Sequence, residues 1–528
     1  MKTELATDRH RQTQTDERRE WPRMNTDKHG WLCDLIRHSS FEFRTLTLSV
    51  SVCGCLWLIL SAAGCSLAPE YQRPDASIPA AWPTTQPEDG EATLPHWQEF
   101  IADPKLRQVI AVALENNRDF RIAALNVQRA RQEYGIQEAG LLPVANMGGS
   151  WIRERIPKDL SLTGQSMVAN QYTVNLGAVA WEIDLFGRIR SLADQALQEY
   201  LASEQGRRSV QILLISQVAE SYLTLAADRE ALQLARDTLK AQQDSYNLIK
   251  RRVELGESPE LDLHRAQTQV DTARVAVADY SRRIELDRNA LVLLAGAAVP
   301  DELLSENLSQ INAFPELSAG LPSSVLLGRP DILQAERHLI GANANIGAAR
   351  AAFFPRISLT AALGAGSGAL SSLFKSGSGA WSYGPEIVMP IFDARTWQAL
   401  PASKTDRDIA VAQYQKAIQT GFREVADALA VQKTVLEEVA AQQSLVKAVA
   451  ETYRLSLIRY EKGLDTYLDV LDAQRSLFAQ QQNLIALNLT QRANQTRLYA
   501  VLGGGWHWEP PGAPATATQS TATRSSSR

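Results

Sequence analysis

From Arg188 to Leu255 the chain has no Pro and a single Gly, and apolar or aromatic residues return every seven positions: Val218, Leu225, Leu232, Leu239, Tyr246 and Val253. A heptad kept over that distance predicts a helix on the order of 100 Å long, packed on a neighbour as a coiled coil. Val425, Gln432, Val439, Val446, Tyr453 and Tyr460 hold the same phase farther along. Each long run stops at a Gly-centred break, Leu255-Gly256-Glu257-Ser258-Pro259 and Lys462-Gly463-Leu464-Asp465. Gly supplies the backbone freedom that a helix reversal needs, and a second helical run follows each break. Pro401, near the start of the second long run, predicts a delayed or kinked helix there.

Before each long run the period drops to two. Tyr172, Val174, Leu176, Ala178 and Ala180 alternate with Gln171, Thr173, Asn175 and Gly177. Ile357, Leu359, Ala361 and Leu363 alternate with Arg356, Ser358 and Thr360, and Trp381, Tyr383, Ile387 and Met389 with Ser382, Gly384 and Glu386. Strands of about ten residues, apolar on one face and polar on the other, suit a membrane barrel with a wet lumen or a half-buried soluble sheet. Four strands are too few to close a barrel, which takes about eight. Either the sheet is soluble or several chains pool their strands. Gly364 to Gly368 is expected in a loop.

The chain repeats itself. A slide of 207 residues lays Tyr246–Gln267 on Tyr453–Gln474 with nine of 22 positions identical, among them Arg252, Gly256 and Asp262, where chance gives about one or two. The run from Lys105 to Leu142, expected as one helix, echoes at a shift of 212: Asp119, Ala123, Ala130, Ala139 and Pro143 fall on Asp331, Ala335, Ala342, Ala351 and Pro355. The duplication spans nearly the whole chain after residue 104. The resulting division is 1–64 leader and signal, 65–104 extended segment, 105–300 first repeat, 301–328 linker, 329–504 second repeat and 505–528 disordered, low-complexity tail.

Composition narrows the function. With 54 Lys and Arg against 59 Asp and Glu, and no basic cluster, nucleic acid is not an expected partner. The four cysteines, Cys33, Cys53, Cys55 and Cys65, all lie in the first 65 residues, so no disulfide framework or Cys-based metal site is available beyond them. His96, His264, His338 and His507 are widely spaced and match no ligand pattern. No enzyme signature is present, and no cofactor is expected.

Thr45 to Gly64 is an uncharged run of 20 residues behind Arg37 and Arg44, long enough for an uncleaved anchor and also shaped as a signal peptide. Ser61-Ala62-Ala63-Gly64-Cys65 resembles the lipobox of bacterial lipoproteins, with Ala62 where Leu is usual, which would leave Cys65 as a lipidated N-terminus. Ser66 in place of Asp after it implies passage to the outer membrane. A translation start at Met24 would shorten the charged leader.

The lipobox followed by CSLAPEYQRP, Trp181–Arg190 (WEIDLFGRIR), Gly328–Ile332 (GRPDI) and the two Gly-centred turns together resemble the TolC-type outer-membrane efflux proteins, in the branch of OprM- and NodT-like lipoproteins, over about Cys65 to Gly504. The resemblance implies a mainly α fold with a membrane β-barrel. Three chains would give four strands each to a twelve-stranded barrel, continued across the periplasm by an α-helical coiled-coil barrel. It implies a homotrimeric exit duct, seated in outer-membrane lipid, that meets a periplasmic membrane-fusion adaptor protein and an inner-membrane RND-type pump. Asp469 and Asp472 match an aspartate pair that rings the closed aperture, and Tyr460 matches a tyrosine that latches the closed state to the neighbouring helix pair. Asp465 stands where the archetype has a latch arginine, which replaces that chemistry with added negative charge. Gly256, Glu257, Ser258, Gly463, Leu464 and Asp465 are the expected adaptor-docking tips. A type I secretion exit, or a periplasmic coiled-coil spacer with no channel, are the rival readings, and the spacer needs no strands.

Overall fold

A computed structural model of the chain describes residues 66–75, 78–79, 82, 94–315, 317 and 323–505. The expected signal segment, the lipid site Cys65 and the tail from 506 on lie outside the described residues. Gly505 itself, placed in the expected tail, is buried in a turn.

The elements run α1 (Trp97–Phe100), α2 (Pro104–Asn116), α3 (Arg118–Ala139), β1 (Ala145–Ile156), β2 (Met167–Ile183), α4 (Arg188–Glu254), α5 (Glu260–Ala295), α6 (Pro330–Ala351), β3 (Arg356–Ser367), β4 (Gly379–Val388), α7 (Ala394–Glu461) and α8 (Tyr467–Val501). The duplication is plain in the lengths: α3 and α6 have 22 residues each, β1 and β3 have 12 each, and α4 and α7 have 67 and 68. The described residues of the linker between the repeats include short 3-10 turns at Asp301–Leu303, Leu308–Gln310 and Ser323–Gly328.

The run expected as one helix from Lys105 is two. Asn117 ends α2 and caps α3, its side-chain oxygen accepting from the Phe120 N–H at 2.9 Å. An Asn side chain that competes for backbone donors in this way favours a cap over a helix interior. Pro401 neither delays nor interrupts α7, which begins at Ala394 and passes through it. Pro401 removes the N–H that would bond the Trp397 carbonyl, and the ladder on either side carries the helix past the gap.

The four strands form one antiparallel sheet in the order β1-β2-β3-β4. In β2 the pairing shifts between Ala178, opposite Ala361, and Trp181, opposite Leu359. A bulge of one extra residue, with Ala180 at φ 53°, flips the alternation there. Ala180 therefore leaves the face of Ala178, and Trp181 and Ile183 take it over. Gly364 and Gly366 lie within β3, not in a loop. A Cβ on Gly364 would come 2.0 Å from the Val174 carbonyl oxygen, and one on Gly177 2.1 Å from that of Ala361. The glycines are needed because the two strand backbones approach so closely.

The corrected register gives one continuous apolar face: Met147 and Trp151; Tyr172, Val174, Leu176, Ala178, Trp181 and Ile183; Ile357, Leu359, Ala361 and Leu363; Trp381, Tyr383 and Ile387. Trp151, Trp381 and Met147 on it are 59%, 73% and 80% exposed. The opposite face carries Asn146, Ser150, Thr173, Asn175, Glu182, Ser358, Thr360 and Glu386. Among the described residues the outer edges of β1 and β4 have no strand partner.

The main core lies where α1, α2, α4, α6, α7 and α8 meet, around Phe100, which stacks on Tyr499 at 4.1 Å and Phe314 at 5.5 Å. Residues 66–73, within the expected extended segment, run along α6. Arg350 donates to the Leu67 carbonyl at 2.9 Å, Asn343 to that of Pro69 at 2.7 Å, and Arg73 grips Glu336 with two bonds of 2.7 Å while the Tyr71 hydroxyl adds a third at 3.0 Å.

Candidate functional site

Two helical hairpins, α4–α5 and α7–α8, end in the two Gly-centred tips, and the tips share one construction. At the first, the Gly256 N–H bonds the Val253 carbonyl at 2.9 Å and the Glu257 N–H reaches the Arg252 carbonyl at 2.7 Å. At the second, Gly463 bonds Tyr460 at 2.9 Å and Leu464 bonds Arg459 at 2.9 Å. Gly256 and Gly463 sit at φ +75° and +70°. This is the Schellman end of a helix, which requires a left-handed residue at the reversal. Gly256, Glu257, Gly463 and Leu464 are exposed, and Ser258 and Asp465 half-buried.

A small core separate from the main one holds the hairpins together just behind the tips. Ile249 of α4, Ala266 of α5 and Tyr467, Val470 and Leu471 of α8 are its buried members, with Tyr246, Tyr453 and Tyr460 packed around them. Tyr460 places its ring 5.4 Å from that of Tyr467, and the Arg252 guanidinium lies 5.4 Å over the Tyr460 ring. That cation–π contact links the first hairpin to the second within one chain. The Tyr467 hydroxyl is buried without a hydrogen-bond partner among the described residues, and burial pushes its pKa far up.

Asp465 does not stand as a free added charge. Its carboxylate takes two bonds from Arg459, at 2.6 and 2.8 Å, and that pairing holds its pKa below the usual carboxylate range. Six residues apart in sequence, the two meet because the chain reverses between them. The aspartate pair splits in role. Asp469 accepts from the Thr466 N–H at 3.1 Å and its hydroxyl at 2.7 Å, which makes it the third residue of a capping box at the start of α8. Asp472, one turn on, pairs with Arg475. Both aspartates are exposed, on the side of α8 away from buried Val470 and Leu471.

The structure thus brings Tyr460, Asp465 and Asp469 to one end of one hairpin, with Gly256, Glu257 and Ser258 at the tip of the other. Sequence reasoning left out Arg252, Arg459, Thr466 and Tyr467. Three of these carried a signal: Arg252 and Arg459 are identical across the repeat, and Thr466 stands three before Asp469 at a helix start.

The comparisons with known proteins follow the same outline. The family model described as outer membrane efflux protein matches residues 109–297 and 321–504, one stretch in each repeat. The toluene efflux pump outer membrane protein TtgC of Pseudomonas putida is 47% identical over 451 residues, covering 84% of this chain and 93% of that protein. Outer membrane protein OprJ of Pseudomonas aeruginosa is 40% identical over 455 residues, 85% of this chain and 95% of its own length. Among solved structures, a membrane protein from Pseudomonas aeruginosa superposes with a TM-score of 0.79 at 40% identity, covering 84% of this chain and 98% of that one. The open state of the Neisseria gonorrhoeae MtrE outer membrane channel gives 0.76 at 36%, with the same coverage. The chain belongs to the outer membrane efflux protein family.

Proposed function

We propose that the chain is the exit duct of a tripartite efflux system, conducting drugs, metals or other small toxic molecules passively across the outer membrane. The observation that carries this is the open four-stranded sheet, apolar on one face and polar on the other, set on two very long helical hairpins. An exposed face with Trp, Tyr, Met and Ile needs lipid beside it. From the Ile357 row to the Trp151–Tyr172 row, level with Ser367, the apolar face extends roughly 34 Å along the strands, which is about 25 Å of membrane height at an ordinary barrel tilt. One stretch of α4 is apolar enough to cross a membrane, but half of it is buried by its neighbours, as suits a core helix.

Unpaired β1 and β4 edges call for strand partners. Three copies of the chain, joined β1 to β4, close a twelve-stranded barrel, and their hairpins continue it as a coiled-coil cylinder. The six tips of such a trimer face the adaptor protein, which in turn meets an RND-type pump in the inner membrane. Asp469 and Asp472 from three chains place six carboxylates around the closed end. The duct itself carries out no chemistry; energy comes from the pump. The strap of residues 66–73 along α6 leaves residue 66 near the C-terminal end of that helix, a few residues before β3 begins. We assign a lipid to Cys65, the residue that precedes this strap in the sequence.

The test is on purified full-length protein in detergent and in planar bilayers. A heat-resistant trimer with cation-selective currents is expected. A soluble monomer after removal of the lipid, with no conductance, overturns the reading in favour of a spacer.

A further inference from the structure

We propose that Arg153 and Arg155 form a binding site for the phosphate groups of lipids in the outward leaflet of the membrane. The proposal rests on the reading of the sheet as part of a lipid-embedded barrel and deepens it. In β1 the odd positions share the apolar face with Met147 and Trp151, so Arg153 and Arg155 continue that face toward the β1–β2 loop. Trp151 stacks on Tyr172 across the strands at 6.0 Å, and this pair is the last aromatic row. Arg153, opposite Asn170, is one row farther, and Arg155, opposite Val168, two rows, about 7 and 14 Å along the strand.

That order, apolar band, aromatic belt and then cations, follows the polarity of a bilayer from its centre to its headgroups. The loop end lies away from the helices, so the level reached is that of the exterior leaflet. Both guanidinium groups are exposed, and among the described residues neither has a carboxylate partner. Glu154 between them lies on the opposite, polar face with Ser150. The β1–β2 loop adds Lys158 and Asp159, which cancel. At its other end the same apolar face finishes in Ile183, Ile357 and Ile387 with no cation. Two guanidinium groups about 7 Å apart on a flat strand present their planar forks to phosphate oxygens. Placed on the lipid side, they serve an anchored headgroup and not cargo in the lumen.

The experiment titrates the purified trimer, held in neutral detergent, with bisphosphorylated lipid A, with lipid A stripped of phosphate, and with inorganic phosphate, and reads binding by native mass spectrometry. Wild type is expected to bind the bisphosphorylated lipid at least about tenfold tighter than the stripped one. The double variant Arg153→Ala/Arg155→Ala loses that preference, and Arg153→Lys/Arg155→Lys keeps part of it. Equal binding by wild type and the Ala variant, with the variant trimeric and conducting, overturns this proposal alone. Competition by inorganic phosphate as effective as by the lipid overturns the lipid assignment in favour of a free-anion site. Failure of wild type to insert into bilayers removes the barrel reading and this proposal with it.

Discussion

Arg459 closes the second tip by donating from Nε and Nη2 to the two oxygens of Asp465, at 2.6 and 2.8 Å. The pair ties the last turn of α7 to the residue just before α8 starts, so it fixes the angle at which the hairpin reverses. Arg459 is solvated and Asp465 half-buried, and pairs this open to solvent add little to stability. Arg459→Ala is therefore expected to leave the melting temperature unchanged while lengthening single-channel open times. The folded pKa of Asp465 lies below its ordinary value, so the pairing is present above that value and is lost only as pH falls through the folded one. The effect of the substitution should be the same at pH 6 and pH 8. Open times unchanged by Arg459→Ala would show that the tip angle does not control the aperture.

The aspartate pair predicts a division of labour. Removing Asp472 takes away a charge whose only ion-pair partner among the described residues is Arg475, so Asp472→Ala should raise the concentration of divalent cation needed to block the channel, with melting unchanged. Asp469→Ala should weaken block and also cost roughly 1 kcal/mol, because the Thr466 N–H and hydroxyl lose their acceptor. Single-channel recordings with and without Mg²⁺, beside thermal melts, separate the two. Identical melts for both variants would refute the capping role.

What the sequence made legible follows from which interactions are local. Heptads, alternation and the internal repeat are local patterns, and they gave the helices, the strands and the tips. The bulge at Ala180 was hidden because Val179-Ala180 adds one residue without changing the apolar character of the run. The glycines of β3 read as a loop because composition does not reveal how closely β2 approaches. Asn117 was a local signal passed over, as was Thr466 ahead of Asp469: an Asn two before Asp119 is a helix-start pattern. At the site, the aspartates were visible as carboxylates sharing a face. Their partners were not, since Arg459 meets Asp465 only after a reversal and Arg252 meets Tyr460 only through hairpin packing.

The strap predicts an asymmetric pair of effects. Glu336 is 7% exposed and takes three bonds from Arg73 and Tyr71. Arg73→Ala strands a buried carboxylate and should destabilise by roughly 1–3 kcal/mol, less than for a fully buried pair because Arg73 itself is partly solvated. Glu336→Gln leaves an amide that still accepts from Arg73 and should cost less. Thermal melts of the two variants check the order, and a larger loss for Glu336→Gln would contradict it.

The last prediction concerns acid. Asp228 of α4 and Asp287 of α5 face each other inside the first hairpin, and burial raises both carboxyls, Asp287 to about 6 with the Asp228 charge as the next cause. One oxygen of Asp287 is buried with no hydrogen-bond partner among the described residues. The charged groups around the pair are Arg283 and Asp279 on α5, of which Arg283 opposes the rise. Tyr280 of α5 is also near, its hydroxyl bonded by Gln482 of α8 at 3.0 Å. A carboxyl whose folded pKa lies above its unfolded value of 3.8 stabilises the fold fully below that value, and the contribution is lost as pH rises through about 6. This hairpin is therefore expected to be more resistant to heat at pH 5 than at pH 7. Asp287→Asn removes one partner of the repulsion and should raise the melting temperature at pH 7 while flattening the difference between the two. Arg283→Ala, which takes away the opposing cation, should move the fall in stability to higher pH. Melting curves of wild type and both variants at pH 5, 6, 7 and 8 decide the matter. If Asp287→Asn melts in parallel with wild type across that range, the pair titrates outside it and contributes nothing to the pH response.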